Sequence, residues 1–186
     1  MSLVELIAQA DERGLAASGL ACLDRCVPLL GGDDETLRPL WASLADGAGA
    51  DDWTERLEQT RVKLDGAGAG TEDEAVVLAH RMLQAAPAER SAAEVRVWAD
   101  ACSVASLQIH RLLDTAEDEA SSVDARRKGR TQGMSPLVAA ELRRQITVLE
   151  VMAGHGPAGL RRAVEVSTEG RRVLRAVVSR RSRQQG

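Results

Sequence analysis

The sequence of 186 residues contains no phenylalanine and no tyrosine, and tryptophan, at positions 41, 53 and 98, is its only large aromatic residue. Its apolar residues are mainly alanine, leucine and valine, whose compact side chains suit close packing between helices. The sequence also lacks any sustained alternation of apolar and polar residues, which is typical of half-buried β-strands. These absences predict an all-α protein.

Cysteines and long apolar segments are also scarce. Cys22, Cys26 and Cys102 are too few, and odd in number, for a disulfide framework, so a reducing compartment is expected. The first residues do not resemble a signal peptide, because no basic leader precedes an apolar stretch. The longest apolar segment, residues 15–30, is interrupted by charged residues and is short for a membrane span. We therefore expect a soluble, cytoplasmic protein.

Capping signals mark where helices begin. At four positions a capping side chain stands three residues before a glutamate, so that both side chains can satisfy free amides of a first turn: Ser2, Asp52, Thr71 and Ser91. Glycines mark plausible helix ends, because glycine readily adopts the left-handed conformation at which many helices stop. These signals predict an irregular bundle of about eight helices, of which the first six can pair into three helical hairpins. The expected helices cover residues 3–13, 15–30, 35–46, 52–65, 72–86, 92–119, 136–153 and 157–182.

The charges are sorted along the chain. Residues 1–120 contain 10 arginines and lysines against 23 aspartates and glutamates, whereas residues 121–186 contain 14 against 5. The apolar pattern is lost between residues 121 and 135, where the sequence reads SSVDARRKGRTQGMS. We therefore expect an acidic helical body of about six helices over 1–120, a basic linker over 121–135, and a basic helical hairpin over 136–186 that packs on the body.

The last predicted helix has two chemically different sides. At about 100° per residue, its apolar side chains fall on one side together with Ser167 and Gly170, whose small size would permit close approach to a neighbour. Most of its arginines fall on the other side, and Arg181 lies off that face. With the basic residues of the linker they form the candidate set for binding a protein partner or phosphate: Arg126, Arg127, Lys128, Arg130, Arg161, Arg162, Arg171, Arg172, Arg175, Arg180 and Arg183.

Three kinds of partner could meet this arginine face. Guanidinium groups match phosphate oxygens, which favours nucleic acid, but the negative net charge and the lack of a helix-turn-helix pattern oppose it. A membrane is disfavoured, because the apolar face carries no Trp or Phe anchor. The third partner is an acidic protein surface, on the same chain, on a second copy or on another protein. The sequence thus favours a non-enzymatic interaction protein, an adaptor or regulatory subunit that could self-associate, with a nucleic-acid-binding regulator as the alternative.

Candidate catalytic and metal-binding groups are few. Cys22 and Cys26 would project from one side of a helix, but a structural zinc site usually needs four ligands, and a free buried cysteine behaves as a small hydrophobe. His110 and Asp114 lie one helical turn apart, so an enzyme that uses this pair remains a third alternative. We expect no catalytic residue, cofactor, metal site or small-molecule ligand.

Overall fold

The computed structural model describes residues 1–64, 66, 70–116 and 122–185, and all regular secondary structure within these ranges is helical. The described residues form nine α-helices and two 3-10 segments, Val27–Leu29 and Gly156–Gly159, in an irregular bundle, which confirms the predicted fold class. The α-helices are α1 (Leu3–Gln9), α2 (Glu12–Arg25), α3 (Arg38–Ala42), α4 (Ala50–Leu64), α5 (Glu74–Ala85), α6 (Ala92–Leu113), α7 (Val123–Arg127), α8 (Pro136–His155) and α9 (Leu160–Gln185).

Side-chain caps begin several of these helices, as the sequence indicates. Ser2 Oγ accepts a hydrogen bond from the Glu5 amide, and the Glu5 carboxylate accepts one from the Ser2 amide, which completes a capping box. The same kind of cap, a side-chain oxygen that accepts from a first-turn amide, begins α2, α5, α6 and α7 at Asp11, Asp73, Ser91 and Ser122.

Five predicted helices are shorter than expected. The helix expected over 3–13 is α1, which ends at Gln9 because Ala10 adopts extended backbone angles, and the helix expected over 72–86 is α5, Glu74–Ala85. The helix expected over 15–30 is α2, which ends at Arg25 and is followed by the 3-10 segment at Pro28. The helix expected over 35–46 covers only Arg38–Ala42. The helix expected over 92–119 is α6, which ends at Leu113 because Asp114 adopts extended backbone angles. Residues 117–119 of that prediction lie outside the described residues.

Helix α2 lies at the centre of the bundle. All its residues from Gly14 to Arg25 are buried, and it packs against α6, α8 and α9. Two glycines permit this packing: a Cβ on Gly19 would stand 2.6 Å from the Trp98 ring of α6, and a Cβ on Gly170 of α9 would collide with the side chain of Arg25. Gly170 thus permits the close approach that the sequence suggested.

The segment predicted as a linker contains helix α7. Ser122 caps this helix, Val123 is buried, and Arg127 joins the segment to α6 by an ion pair with Asp100 and a 3.2 Å hydrogen bond to Ser103 Oγ. The described part of residues 121–135 therefore packs on α6 through specific contacts. The sequence did not predict this, because five residues are too few to show a helical period.

In the described ranges, we find no helix with both the length and the apolar character required to cross a membrane.

Candidate interaction surfaces

Two arginines of the predicted basic face are buried in the α7 segment. Arg126 is 2% exposed, and its Nη1 donates to the carbonyl oxygens of Arg130 at 2.8 Å and Gln132 at 2.6 Å. Arg127 is 6% exposed and bonded to α6 as described above. Both guanidinium groups, which the sequence placed among the partner-binding candidates, thus hydrogen-bond within the chain. Lys128 and Arg130 are exposed.

Arg171 is also buried, between two aspartates. It pairs with the buried carboxylate of Asp24, and its Nε lies 3.0 Å from Asp34 Oδ1. Arg175 reaches the same Asp34 oxygen at 3.1 Å. Burial opposes the charge on Arg171, but the two aspartates outweigh this effect and raise its pKa. Arg171, which the sequence placed among the partner-binding candidates, therefore fastens α9 to the acidic part of the chain.

The other candidate arginines of α9 are exposed on one side of the helix. Arg161 and Arg162 lie 3.7 and 3.5 Å from the Glu165 carboxylate. No ion pair within 4.0 Å joins the remaining three to any described residue: Arg172, Arg180 and Arg183. Arg181, which lies off this face, instead pairs with Asp73 beside α5 at 3.2 Å. The exposed arginine face of α9 is thus smaller than the sequence indicated.

A fully buried ion pair joins three helices at the centre of the molecule. Arg25 of α2 donates from Nε and Nη2 to the two carboxylate oxygens of Glu141 on α8, each at 2.7 Å, and both side chains are 0% exposed. Ser106 of α6 and Gln145 of α8 also donate to Glu141, at 2.7 and 2.9 Å. Burial disfavours the carboxylate charge, but Arg25 and its neighbours outweigh this effect and lower the pKa of Glu141.

His110 and Asp114 do not form the pair that their spacing suggested. Asp114 Oδ2 accepts a 2.8 Å hydrogen bond from the Leu137 amide at the start of α8. His110 is buried, with Nδ1 2.7 Å from the Ser106 carbonyl oxygen and Nε2 3.6 Å from Glu141 Oε2. Burial lowers the pKa of His110. The two side chains therefore bond to different groups, Asp114 to the start of α8 and His110 to the turn at Ser106.

The three cysteines are buried and form no disulfide; Cys22 Sγ accepts a 3.5 Å hydrogen bond from Arg25 Nη2, and Cys26 Sγ lies 3.9 Å from Ser106 Oγ. Burial raises the pKa of the Cys22 thiol to about 12, which keeps it protonated at neutral pH. Within the described ranges, no three His, Cys, Asp or Glu side chains are grouped so that they could hold a metal ion.

An apolar groove runs along the hairpin of α5 and α6. It consists of two adjoining hollows, of about 550 and 700 Å³, that share Ala85, Trp98 and Ala101. Val97 and Val104 form part of its α6 wall and are 71% and 40% exposed. We call this surface the α5–α6 groove. It leaves large aliphatic side chains in contact with water.

Trp98 gives the groove a fixed floor. Its indole Nε1 donates to the Met82 carbonyl oxygen at 2.9 Å, which ties α6 to α5. The ring meets Trp53 edge to face, with 5.8 Å between centroids and 68° between planes, and it lies against Gly19 of α2. The indole is therefore held from three directions and is only 2% exposed.

The polar side chains differ between the two hollows of the α5–α6 groove. Glu89 and Glu94 line the hollow near the turn between the helices. Arg81 and Gln108 line the other hollow, whose surface is almost entirely apolar.

Sequence reasoning did not identify this groove, although a signal was present. Val97, Ala101 and Val104 recur at spacings of four and three, so they form a second apolar stripe on α6 beside the core stripe of Trp98 and Cys102. The core of the bundle can bury only one of these two stripes, so the other stripe stays exposed on the surface of α6. In addition, Leu112 near the end of α6 is 41% exposed.

No protein-family model matches the chain, and the comparisons with curated proteins and with solved structures found no similar protein.

Proposed function

We propose that this chain is a non-enzymatic interaction protein, an adaptor or regulatory subunit, that binds a protein partner in the α5–α6 groove. The observation that carries the proposal is the exposure of Val97 and Val104 beside hollows lined largely by apolar side chains. Large contiguous apolar surfaces on soluble proteins commonly mark interaction sites. Grooves between helices commonly accept the apolar face of another helix.

Burial of the exposed valines would contribute favourably to binding. Full burial of a valine side chain stabilises a contact by about 1.5–3 kcal/mol relative to exposure, and Val97 and Val104 both start from substantial exposure. The floor needs no rearrangement, because Trp98 is already bonded to Met82. Binding to a preformed site loses less free energy to the ordering of side chains.

We also propose that the protein acts in the cytoplasm. Its three unpaired cysteines support this location, because free thiols persist in a reducing compartment.

Site-specific photo-crosslinking in cells tests the proposed function. A photoreactive residue at position 97 should crosslink a discrete protein, which mass spectrometry identifies as a second copy or as another protein. Val62 is the matched control, because this α4 residue is 70% exposed and does not line the groove. Crosslinks of equal yield from positions 97 and 62, or none from 97, would contradict the proposal.

A nucleic-acid-binding regulator is the second candidate. It is favoured by the exposed arginines of α9 that have no ion-pair partner among the described residues: Arg172, Arg180 and Arg183. Arginine contacts to phosphate release counterions, so nucleic-acid binding should weaken steeply as the salt concentration rises.

Replacement of these three arginines by glutamine tests this candidate and should abolish retention of a DNA or RNA duplex at low salt. The control replaces Arg38 and Arg56, which are exposed on other helices. Absence of retention by the unmodified protein at low salt removes this candidate.

A further inference from the structure

We propose that α7 is a releasable strap whose docking on α6 is set by the buried Arg25–Glu141 pair and which, while docked, keeps Arg127 away from external anions. This inference goes beyond the proposed function, because the residues of α7 do not line the α5–α6 groove. It rests on a chain of hydrogen bonds that joins the strap to the centre of the molecule.

The hydrogen bonds of this chain all point toward the Glu141 carboxylate. Because a carboxylate only accepts, Gln145 turns its amide nitrogen toward Glu141 Oε1, at 2.9 Å, and its amide oxygen toward Ser103. Ser103 Oγ donates its single proton to that oxygen at 2.6 Å, which leaves a lone pair for Arg127 Nε at 3.2 Å. The orientation of each group thus fixes the next, and hydrogen bonds in such chains strengthen one another.

The chain runs from the centre of the molecule to its surface. Glu141, Gln145 and Ser103 are buried, whereas the side chain of Asp100, which pairs with Arg127 at the outer end, is 53% exposed. Loss of a bond at the inner end leaves buried polar groups without partners, which is costly. A change at Glu141 or Gln145 is therefore transmitted to the group that holds Arg127.

Apart from this chain, α7 has a small apolar anchor among the described residues. The helix has five residues, and Val123 is the only one of them that is both apolar and buried. Its main packing neighbour among the described elements is α6. So short a helix is not stable by itself in water, and segments with few buried apolar contacts open locally while the rest of a protein stays folded. Release of α7 therefore leaves the bundle intact.

Release changes what the strap can bind. In the docked state Arg127 is 6% exposed, and its charge is paired with Asp100. In the released state it stands beside Lys128 and close to Arg130, which are exposed even when α7 is docked. A chain of phosphate groups therefore binds the released state more tightly, and such a ligand shifts the equilibrium toward release. Asp100 acts as the internal competitor of that ligand.

Hydrogen exchange measures how firmly the strap is held. The amides of Lys128 and Arg130 hydrogen-bond to carbonyl oxygens of docked α7, so they exchange when the strap opens. Gln145→Met interrupts the middle of the chain on α8 and should raise both exchange rates about tenfold or more. Val148→Ala, which alters another buried side chain of α8 outside the chain, is the control and should leave these rates unchanged.

The Arg127→Met variant separates the chain from a general loss of stability. It cuts the chain at its outer end and should raise the exchange of the same amides at least as much as Gln145→Met does. In the Arg127→Met background, the further replacement of Gln145 should change these rates by less than about twofold, because the chain is already cut. Unchanged exchange in Gln145→Met, or the full effect of Gln145→Met in the Arg127→Met background, overturns the coupling.

Titration with inorganic polyphosphate at low salt tests whether the strap withholds Arg127. Asp100→Asn removes the internal competitor and should lower the Kd for polyphosphate about tenfold relative to Glu150→Gln. Glu150→Gln removes an exposed carboxylate of α8 and thus controls for the change in net charge. Equal Kd values for the two variants, or binding by neither, overturn this part of the proposal. None of these results depends on the crosslinks from position 97, which decide the proposed function.

Discussion

Arg25 and Glu141, which are 116 positions apart in sequence, meet as a bidentate ion pair that water does not reach. The pair fixes α2 against α8, and Ser106 brings α6 to the same carboxylate. Buried ions are costly to desolvate, so such a pair is maintained only when its geometry and its additional hydrogen bonds are good. The α6 helix that this network positions is the helix that presents the α5–α6 groove on its opposite side.

Removal of one member of this pair should be strongly destabilising. Glu141→Gln leaves the buried Arg25 charge without its counter-ion and should lower the free energy of unfolding by about 3–5 kcal/mol, measured by urea denaturation. The double replacement Arg25→Met/Glu141→Leu should cost much less, because no buried charge is left unpaired. Glu35→Gln, which removes an exposed partner of Arg38, is the control and should have little effect. A Glu141→Gln protein as stable as the unmodified one would show that the pair does not form.

Stability should depend on pH through His110. Burial lowers its pKa below 6.5, although the nearby Glu141 charge acts in the opposite direction. As the pH falls below 6.5, the unfolded chain binds a proton at this imidazole before the folded protein does. The stabilising contribution of neutral His110 to the free energy of unfolding is therefore fully present above pH 6.5 and is lost as the pH falls toward its lowered pKa.

The difference in unfolding free energy between the unmodified protein and His110→Gln should change with pH in this window. His155→Gln, at an exposed position, controls for loss of an imidazole, and an identical pH profile for His110→Gln and the unmodified protein would contradict this expectation.

Two glycines should respond to alanine with opposite signs. At Gly154 of α8, an added Cβ meets nothing within 4 Å, so Gly154→Ala should stabilise the helix by about 0.5–1 kcal/mol. At Gly170 the Cβ would collide with the buried Arg25 side chain, so Gly170→Ala should destabilise by about 1–3 kcal/mol despite the same gain in helix propensity. Thermal denaturation of both variants measures the contrast. Equal shifts would indicate that α9 does not approach Arg25 closely.

The all-α class could be predicted because its signals are local. Capping residues such as Ser2 and Ser91 act within one turn, and the apolar sequence of α2 requires burial on every side. The ends of the helices could be predicted less well, because they depend on contacts that are remote in sequence. The end of α6 depends on Asp114, whose carboxylate accepts a hydrogen bond from the distant Leu137 amide.

The interaction surfaces could be predicted only in part. Helical spacing placed Arg171 with the other arginines of α9, but whether an arginine is buried depends on partners such as Asp24 that are remote in sequence. The same limit applies to Arg25, which interrupts an apolar segment and has no acidic residue three or four positions away that could pair with it along the helix. The second apolar stripe of α6 was readable in the sequence, but only the packing shows that Val97 remains exposed.

Replacement of Ala101, which lines both hollows, tests the groove as a binding site most directly. Ala101→Arg would place a bulky charge at the centre of the groove, and Val62→Arg adds the same charge at an exposed position outside it. The measurement is the yield of photo-crosslinks from position 97 in each variant, with circular dichroism to verify that both variants keep their helix content. We expect the unmodified protein and Val62→Arg to give the same crosslinked protein in equal yield, and folded Ala101→Arg to lose it. An unchanged crosslink in Ala101→Arg would contradict the assignment of the α5–α6 groove as the binding site.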